Sequence, residues 1–247
     1  QVSMPVFNQT GFAPRQQEAT AATNFNKILL REDDIQIGKR EGKNEDFATL
    51  AEESAVKALS QVAKSYIVAS AQNSLRIYDQ HATSERIQYE KIKRQWQIGQ
   101  LASQKMLLPQ TIELTPAEGR IIEDNSELLL RLGFDVAAFG GNSYVVSAVP
   151  QFLVNGETKT QIMEIIGCLE ESVIVDELSN APLDKIFKVM ACRSAIKFGD
   201  ELTIEGMQAL IDDLISLSSN NFTCVHGRPC LMEFSFIELE KLFKRRT

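Results

Sequence analysis

The chain has 247 residues, 44% of them hydrophobic, and a formal net charge of −7. It can bury one large or two small cores, and no run approaches the roughly 20 apolar residues that a membrane span needs. The negative balance excludes a domain that grips nucleic acid through bulk electrostatics, because Lys and Arg supply most non-specific affinity for phosphate; any DNA contact must be local or assisted.

Residues 1–50 are rich in Gln, Asn, Thr and charge, with Pro5, Gly11 and Pro14 breaking any pattern, and read as a weakly ordered lead-in. The polar start at Gln1 is no signal peptide, and without an initiator Met the chain reads as a fragment of a longer protein. A short helix is predicted from Leu50 to Leu59. Ser65–Ala69 and Leu75–Asp79, joined by a Gln72-Asn73-Ser74 turn, read as a β-hairpin from their β-branched and aromatic content. A helix follows from about Thr83 to Gly99.

Lys105–Leu114 is a strand candidate. Thr115-Pro116-Ala117-Glu118 then carries a capping Thr, a Pro at the first helical position and a Glu three residues after the cap. The helix it opens should run to Leu132 and stop at Gly133. Phe134–Phe139 and Ser143–Val149 form a second hairpin around Gly140-Gly141, and helices are predicted over Thr158–Glu171, around Ala191-Cys192-Arg193 and over Ile204–Leu217. A strand at Leu231–Phe234 leads to a last helix ending in Lys244-Arg245-Arg246. The mixture is α+β.

Both histidines of the chain sit among acid–base and metal-ligand residue types. His81 lies in Asp79-Gln80-His81-Ala82-Thr83-Ser84-Glu85, and His226 in Cys224-Val225-His226-Gly227-Arg228-Pro229. If the strand ending at Asp79 continues to His81, its period of two puts both side chains on one face with Leu75 and Ile77. His81 and Glu85 are then about one helical turn apart, a spacing at which two side chains can grip one ion. Read alone, the junction is also ordinary: Asp and Ser cap helices, and a nearby His is commonly a satisfied polar residue.

In Cys224-Val225-His226 an extended segment would point thiolate and imidazole the same way, with Gly227 allowing a sharp turn and Pro229 stiffening the exit. Cys192 taken alone reads as a small buried apolar side chain on its helix, and Cys168 and Cys230 carry no role. Four cysteines spread through a chain of this size exclude a disulfide scaffold and fit a reducing compartment. The ligand set is mixed and acidic rather than a closed set of Cys and His pairs, which leaves positions open for water or phosphate. The two histidine motifs lie almost 150 residues apart, so a domain that joins them must be assembled from both ends with the middle inserted.

Taken together, the segment from Asp79 to Glu90, Ala191-Cys192-Arg193 and Cys224–Pro229 resemble three motifs of the C-terminal endonuclease domain of the MutL family of DNA mismatch-repair proteins. The first matches the family pattern DQHA-x2-E-x4-E in full. The last has one departure, Val225 where Pro is usual, which removes some rigidity but no ligand. The resemblance covers about residues 60–247 and is closer to bacterial members than to eukaryotic homologues. It implies a divalent-metal site that nicks duplex DNA: Asp79, His81 and Glu85 as catalytic residues, and His81, Glu85, Cys192, Cys224 and His226 as metal ligands. Tightly bound zinc, with manganese or magnesium for nicking, are the implied cofactors, and Arg86, Arg193 and Arg228 are possible phosphate contacts.

The same resemblance implies a dimerisation and metal-site subdomain from residues 51–103 and 183–247, and a regulatory subdomain inserted at 104–182. Gln104-Lys105-Met106-Leu107-Leu108-Pro109 looks like the segment by which bacterial members bind the sliding clamp; read alone, Met106–Leu108 is a core strand. The implied partners are a second copy of the chain, duplex DNA, the clamp and, through the full-length protein with its ATPase domain, a mismatch-recognition protein, with no membrane. The implied location is the bacterial cytoplasm, or the nucleus for a eukaryotic homologue. The alternative function is a non-catalytic dimerisation module in which zinc is structural.

Overall fold

The computed structural model of the chain describes residues 56–172, 181–217 and 222–245, and the lead-in at 1–50 lies outside these. The first sheet has the order β1 (Lys57–Val62), β2 (Tyr66–Ser70), β3 (Ser74–Asp79) and β7 (Leu231–Ser235), all antiparallel. Its last strand comes from the far end of the chain, with Ser74 opposite Ser235 and Tyr78 opposite Leu231. The second sheet has the order β4 (Ser103–Glu113), β6 (Ser143–Pro150) and β5 (Asp135–Gly140), also antiparallel.

Each sheet has its own core. Ile67, Ala69 and Tyr78 from the first sheet pack with Met207, Leu210, Ile211 and Leu214 of α6 (Ile204–Ile215). The second sheet is covered by α2 (Pro116–Asp124), α3 (Ser126–Arg131), α4 (Thr158–Ser172) and α5 (Ala181–Ser194), through residues such as Ile122, Leu129, Ile165 and Met190. Helix α1 (Gln80–Ile98) belongs to both: Ala82 and Ile87 lie in the first core, Tyr89 and Ile92 in the second. Among the described residues no helix is long and apolar enough to cross a membrane.

Five local readings are corrected. The predicted helix at Leu50–Leu59 is the strand β1 from Lys57 onward, residues 50–55 lying outside those described. Its helix-forming composition misled because the turn into β2 carries no turn residues. Ala63 and Lys64 both have positive φ, 51° and 49°, and Ser65 N–H donates to Val62 O at 3.1 Å, a type I′-like turn that usually takes Asn-Gly. The helix expected from Thr83 starts instead at Gln80, so His81 is not on the strand's face, and the side chains buried along β3 are Ser74, Arg76 and Tyr78 rather than Leu75 and Ile77.

The helix expected up to Leu132 is two helices, broken at Asn125, whose side chain donates to Ile121 O at 2.8 Å and competes with the backbone ladder. The terminal helix α7 (Phe236–Leu242) ends before the basic run. Lys244 takes φ 55°, while Arg245 N–H reaches Glu240 O and Lys244 N–H reaches Lys241 O; this is a Schellman stop that normally uses Gly. Finally, Cys224–Gly227 is a turn rather than an extended segment, closed by Gly227 N–H to Cys224 O at 2.9 Å and Cys224 N–H to Arg228 O at 2.7 Å, with Gly227 supplying a φ of 79°. The hairpin β2–β3, the Thr115 capping box, the hairpin β5–β6 and helices α4, α5 and α6 form where the sequence puts them.

Candidate metal centre

Asp79 ends β3 and caps α1, its Oδ1 accepting from Ala82 N–H at 2.8 Å. The cap fixes where the helix begins, and so which residues of the first two turns face the loops behind them. His81 and Glu85 then share one side. Cys192 arrives from the last turn of α5, and Cys224 and His226 from the turn after α6.

These five side chains converge. One ligand atom each from His81, Glu85 and Cys192 lie within 4.8 Å of one another, and the same holds for Glu85, Cys224 and His226, so Glu85 belongs to both triads. A cavity of about 210 Å³ is lined by all five together with Asp79 and Arg228. Asp79 stands in the wall but outside the two triads. Cys168 and Cys230 are buried elsewhere, the second donating from Sγ to Ala82 O at 3.4 Å, and burial pushes its thiol up to about 12.

The electrostatics centre on Glu85, which is 2% exposed. Its Oε2 accepts from His226 Nδ1 at 3.0 Å, while Oε1 is buried with no hydrogen-bond partner. A carboxylate oxygen left bare in a protein interior is expensive unless a cation faces it. Burial raises the Cys192 thiol above its ordinary value, and the Glu85 charge adds to this. Burial also raises Cys224, opposed by the backbone N–H groups of His226 and Arg228. Such thiols give up their protons when a metal offers compensation. Nitrogen, sulfur and carboxylate donors with one bare oxygen at the centre suit a borderline divalent ion such as zinc.

A group of residues behind the site carries no role in the sequence reading. Gln80 is completely buried, and its amide donates to Lys197 O at 2.7 Å and Asp200 O at 3.1 Å while accepting from Gln61 at 2.5 Å. Gln61 also bonds Asp200 O and Leu202 N–H, and Ser84 accepts from Ile196 N–H at 3.0 Å. Together they strap the 195–202 loop over the start of α1. The strap delivers the Ile196 carbonyl to His81 Nδ1 at 2.8 Å. A carbonyl can only accept, so Nδ1 carries the proton and Nε2 is left unprotonated, with its lone pair free for a metal. Phe198 of the same loop packs its ring 5.4 Å from the imidazole. The only sequence signal was a Gln inside a motif otherwise made of ligands and small residues.

Of the three arginines, Arg228 is exposed and lines the cavity. Arg86 is buried, paired with Glu90 at 2.5 Å and set over the Tyr89 ring, and Arg193 pairs with Glu164 through two nitrogens. At the other end of α1, the ladder between β4 and β6 jumps from Lys105–Ala148 to Gln110–Val146. Met106–Pro109 thereby bulge off the sheet, with Leu107 97% and Leu108 78% exposed and Met106 half-buried. Gln104, Met106, Leu107 and Leu108 border an open depression together with Gln151 and Val154.

The family described as "MutL C terminal dimerisation domain" matches residues 59–202. Proteins named "DNA mismatch repair protein MutL" match most of the chain. One from Endomicrobium trichonymphae is 34% identical over 83% of this chain and 34% of its own length. One from an Exiguobacterium species is 32% identical over 94% and 38%, and one from Bacillus pumilus 32% over 98% and 37%. The chain therefore spans little more than a third of the length of these relatives.

Proposed function

The chain belongs to the MutL C-terminal dimerisation family of DNA mismatch-repair proteins, and on that premise we propose that it is a metal-dependent endonuclease domain that nicks duplex DNA. The observation that carries this reading is the convergence of two imidazoles and two thiols on the buried carboxylate of Glu85. His81, Glu85, Cys192, Cys224 and His226 would hold the metal, zinc tightly and manganese or magnesium for cleavage. A bound divalent ion supplies Lewis-acid stabilisation to a phosphodiester oxygen and acidifies water.

The chain's own groups do the rest. Glu85 and the strapped His81 fix the donors before substrate arrives. The Asp79 carboxylate, in the cavity wall, orients the attacking water and takes its proton or joins the ligands. Arg228, exposed at the rim, faces the phosphate. The bond formed is between water oxygen and phosphorus, and the bond broken is between phosphorus and the departing sugar oxygen.

The domain works as a homodimer in the cytoplasm. Exposed Met232 on β7 and Phe236, Ile237, Leu242 and Phe243 on or beside α7 offer apolar surface for that contact. The bulged segment Gln104–Pro109 docks the sliding clamp by inserting its exposed leucines, and mismatch recognition reaches the domain through the full-length protein. With a net charge of −7 the domain depends on such tethering to keep DNA near the site.

The test is metal analysis combined with conversion of supercoiled plasmid to open circles. Manganese-stimulated nicking should vanish in Asp79→Asn, which keeps a good helix cap and hence the fold. Tightly held zinc with no nicking at any protein concentration would overturn the enzyme reading in favour of an interaction module with structural zinc.

A further inference from the structure

A second cavity, of about 520 Å³, adjoins the metal centre and shares Cys192 and His226 with it. It runs between α4 and α5, and its charged lining is unlike the chain as a whole. Lys185, Lys188, Arg193 and Lys197 stand there against the single carboxylate of Glu164, in a protein of net charge −7. We propose that this groove carries the phosphate backbone of the DNA strand leading away from the scissile position. The inference rests on the nuclease reading above and adds to it the path that the substrate takes.

Spacing supports the path. Lys185, Lys188 and Cys192 are three and then four residues apart on α5, which places them along one helical face. At 1.5 Å per residue, Lys188 stands about 6 Å and Lys185 about 10 Å from the ligand cysteine along the axis. Long side chains at these two points reach the first phosphates of a strand that leaves the metal centre along the groove.

The cations can be recruited cheaply. Lys188 is bound to Asp184 at 2.8 Å, but both are about 40% exposed, and pairs of that kind exchange readily for another anion. Lys197 rests its ammonium on the Cys192 carbonyl at the junction of the two cavities.

The floor of the groove gives an independent indication. Gly167 sits in the middle of the 15-residue helix α4, where Gly costs roughly 1 kcal/mol relative to Ala. A Cβ placed there would meet nothing within 4 Å, so packing does not demand the glycine. What it does is leave the floor low on α4, in the same groove as Lys185 and Lys188 of α5.

The test is fluorescence anisotropy of the intact chain with a short labelled duplex in EDTA, across a potassium chloride series, with melting curves to verify folding. Wild type should bind at low salt. In K185A/K188A the slope of log K against log salt should shrink by about 1.8, the value for two lost phosphate contacts. G167E, which keeps a good helix former but places a carboxylate in the floor, should weaken binding at least tenfold, while G167A should not.

An unchanged slope in the double variant, equal binding by G167E and G167A, or no duplex binding by wild type at low salt would each overturn the groove. Because EDTA removes any metal, these outcomes are separate from the fate of the nuclease reading. Nicking by metal-loaded wild type together with an unchanged slope would sink the groove alone.

Discussion

The first two turns of α1 and the bulged stretch of β4 break the usual partition of side chains in opposite senses. In the helix, Gln80, Thr83, Ser84 and Glu85 are at most 2% exposed, while in the strand Leu107 and Leu108 stand almost wholly in solvent. Charged and amide side chains are seldom fully buried without partners, and exposed leucines that adjoin one another are seldom left without use. The polar cluster pre-organises a site at the expense of the isolated fold. The apolar strip leaves two adjoining leucines in water. In both regions the departure from ordinary burial marks the residues on which the proposed function is best tested.

The largest effect should come from Glu85→Gln. Losing the charge removes the shared ligand of both triads, so zinc retention after dialysis should fall to background. The metal-free domain should nevertheless gain about 1–3 kcal/mol, because a formal charge no longer has to be buried at a position that is 2% exposed. Denaturant unfolding of the metal-free protein reads this directly; a loss of stability would mean that the buried polar region is structural after all.

Next is Gln80→Ala, which removes the strap but no ligand. It should cost about 2 kcal/mol and lower zinc affinity 10- to 100-fold. Competition with a coloured chelator, together with the nitrogen chemical shifts of His81, should reveal both the weaker site and loss of the single tautomer. Unchanged shifts would show that the Ile196 carbonyl holds the imidazole without the strap.

For the apolar region the contrast predicts function without stability. Leu107→Ala with Leu108→Ala should abolish clamp-stimulated nicking, spare basal nicking and move stability by no more than about 1 kcal/mol, since both side chains are exposed. Substantial unfolding would return the segment to the core.

The smallest effect concerns the joint that brings Cys192 to Glu85. Tyr89 on α1 donates to Asp184 on α5, and burial together with that bond raises its phenol from 10.0 to about 12. The neutral phenol is the form favoured in the fold. Its contribution is therefore complete below pH 10 and is lost as pH rises toward 12. Tyr89→Phe should cost about 1 kcal/mol near neutrality and flatten the alkaline limb of the stability curve. A curve that remains parallel to wild type through that range would remove Tyr89 from the joint.

The donor residues were legible because their chemistry is local to short motifs. Asp79 to Glu85 shows a cap and two ligand-type side chains a turn apart, and Cys224 to Pro229 two more beside a glycine turn. Together with Cys192, these four do cluster. Cys192 was legible only through its resemblance to a family motif, since on its own helix it reads as a buried thiol. The Gln61–Gln80 strap was not legible, because its partners are backbone carbonyls more than a hundred residues away. β1 and the end of α7 depart from the sequence expectation because Ala63, Lys64 and Lys244 adopt left-handed backbone without the residues that usually announce it.

Sequence by itself determined what depends on neighbouring residues: the alternation of β2 and β3, the capping box at Thr115, the glycine turn of β5–β6 and the kinds of metal donor present. Tertiary structure alone decided which imidazoles, thiols and carboxylate meet, that Met106–Pro109 leave the sheet, and which lysines line the groove beside that cluster. Periodicity and capping are set within a few residues by backbone geometry, whereas convergence and exposure depend on how two sheets and α1 pack across sequence separations that no local pattern encodes.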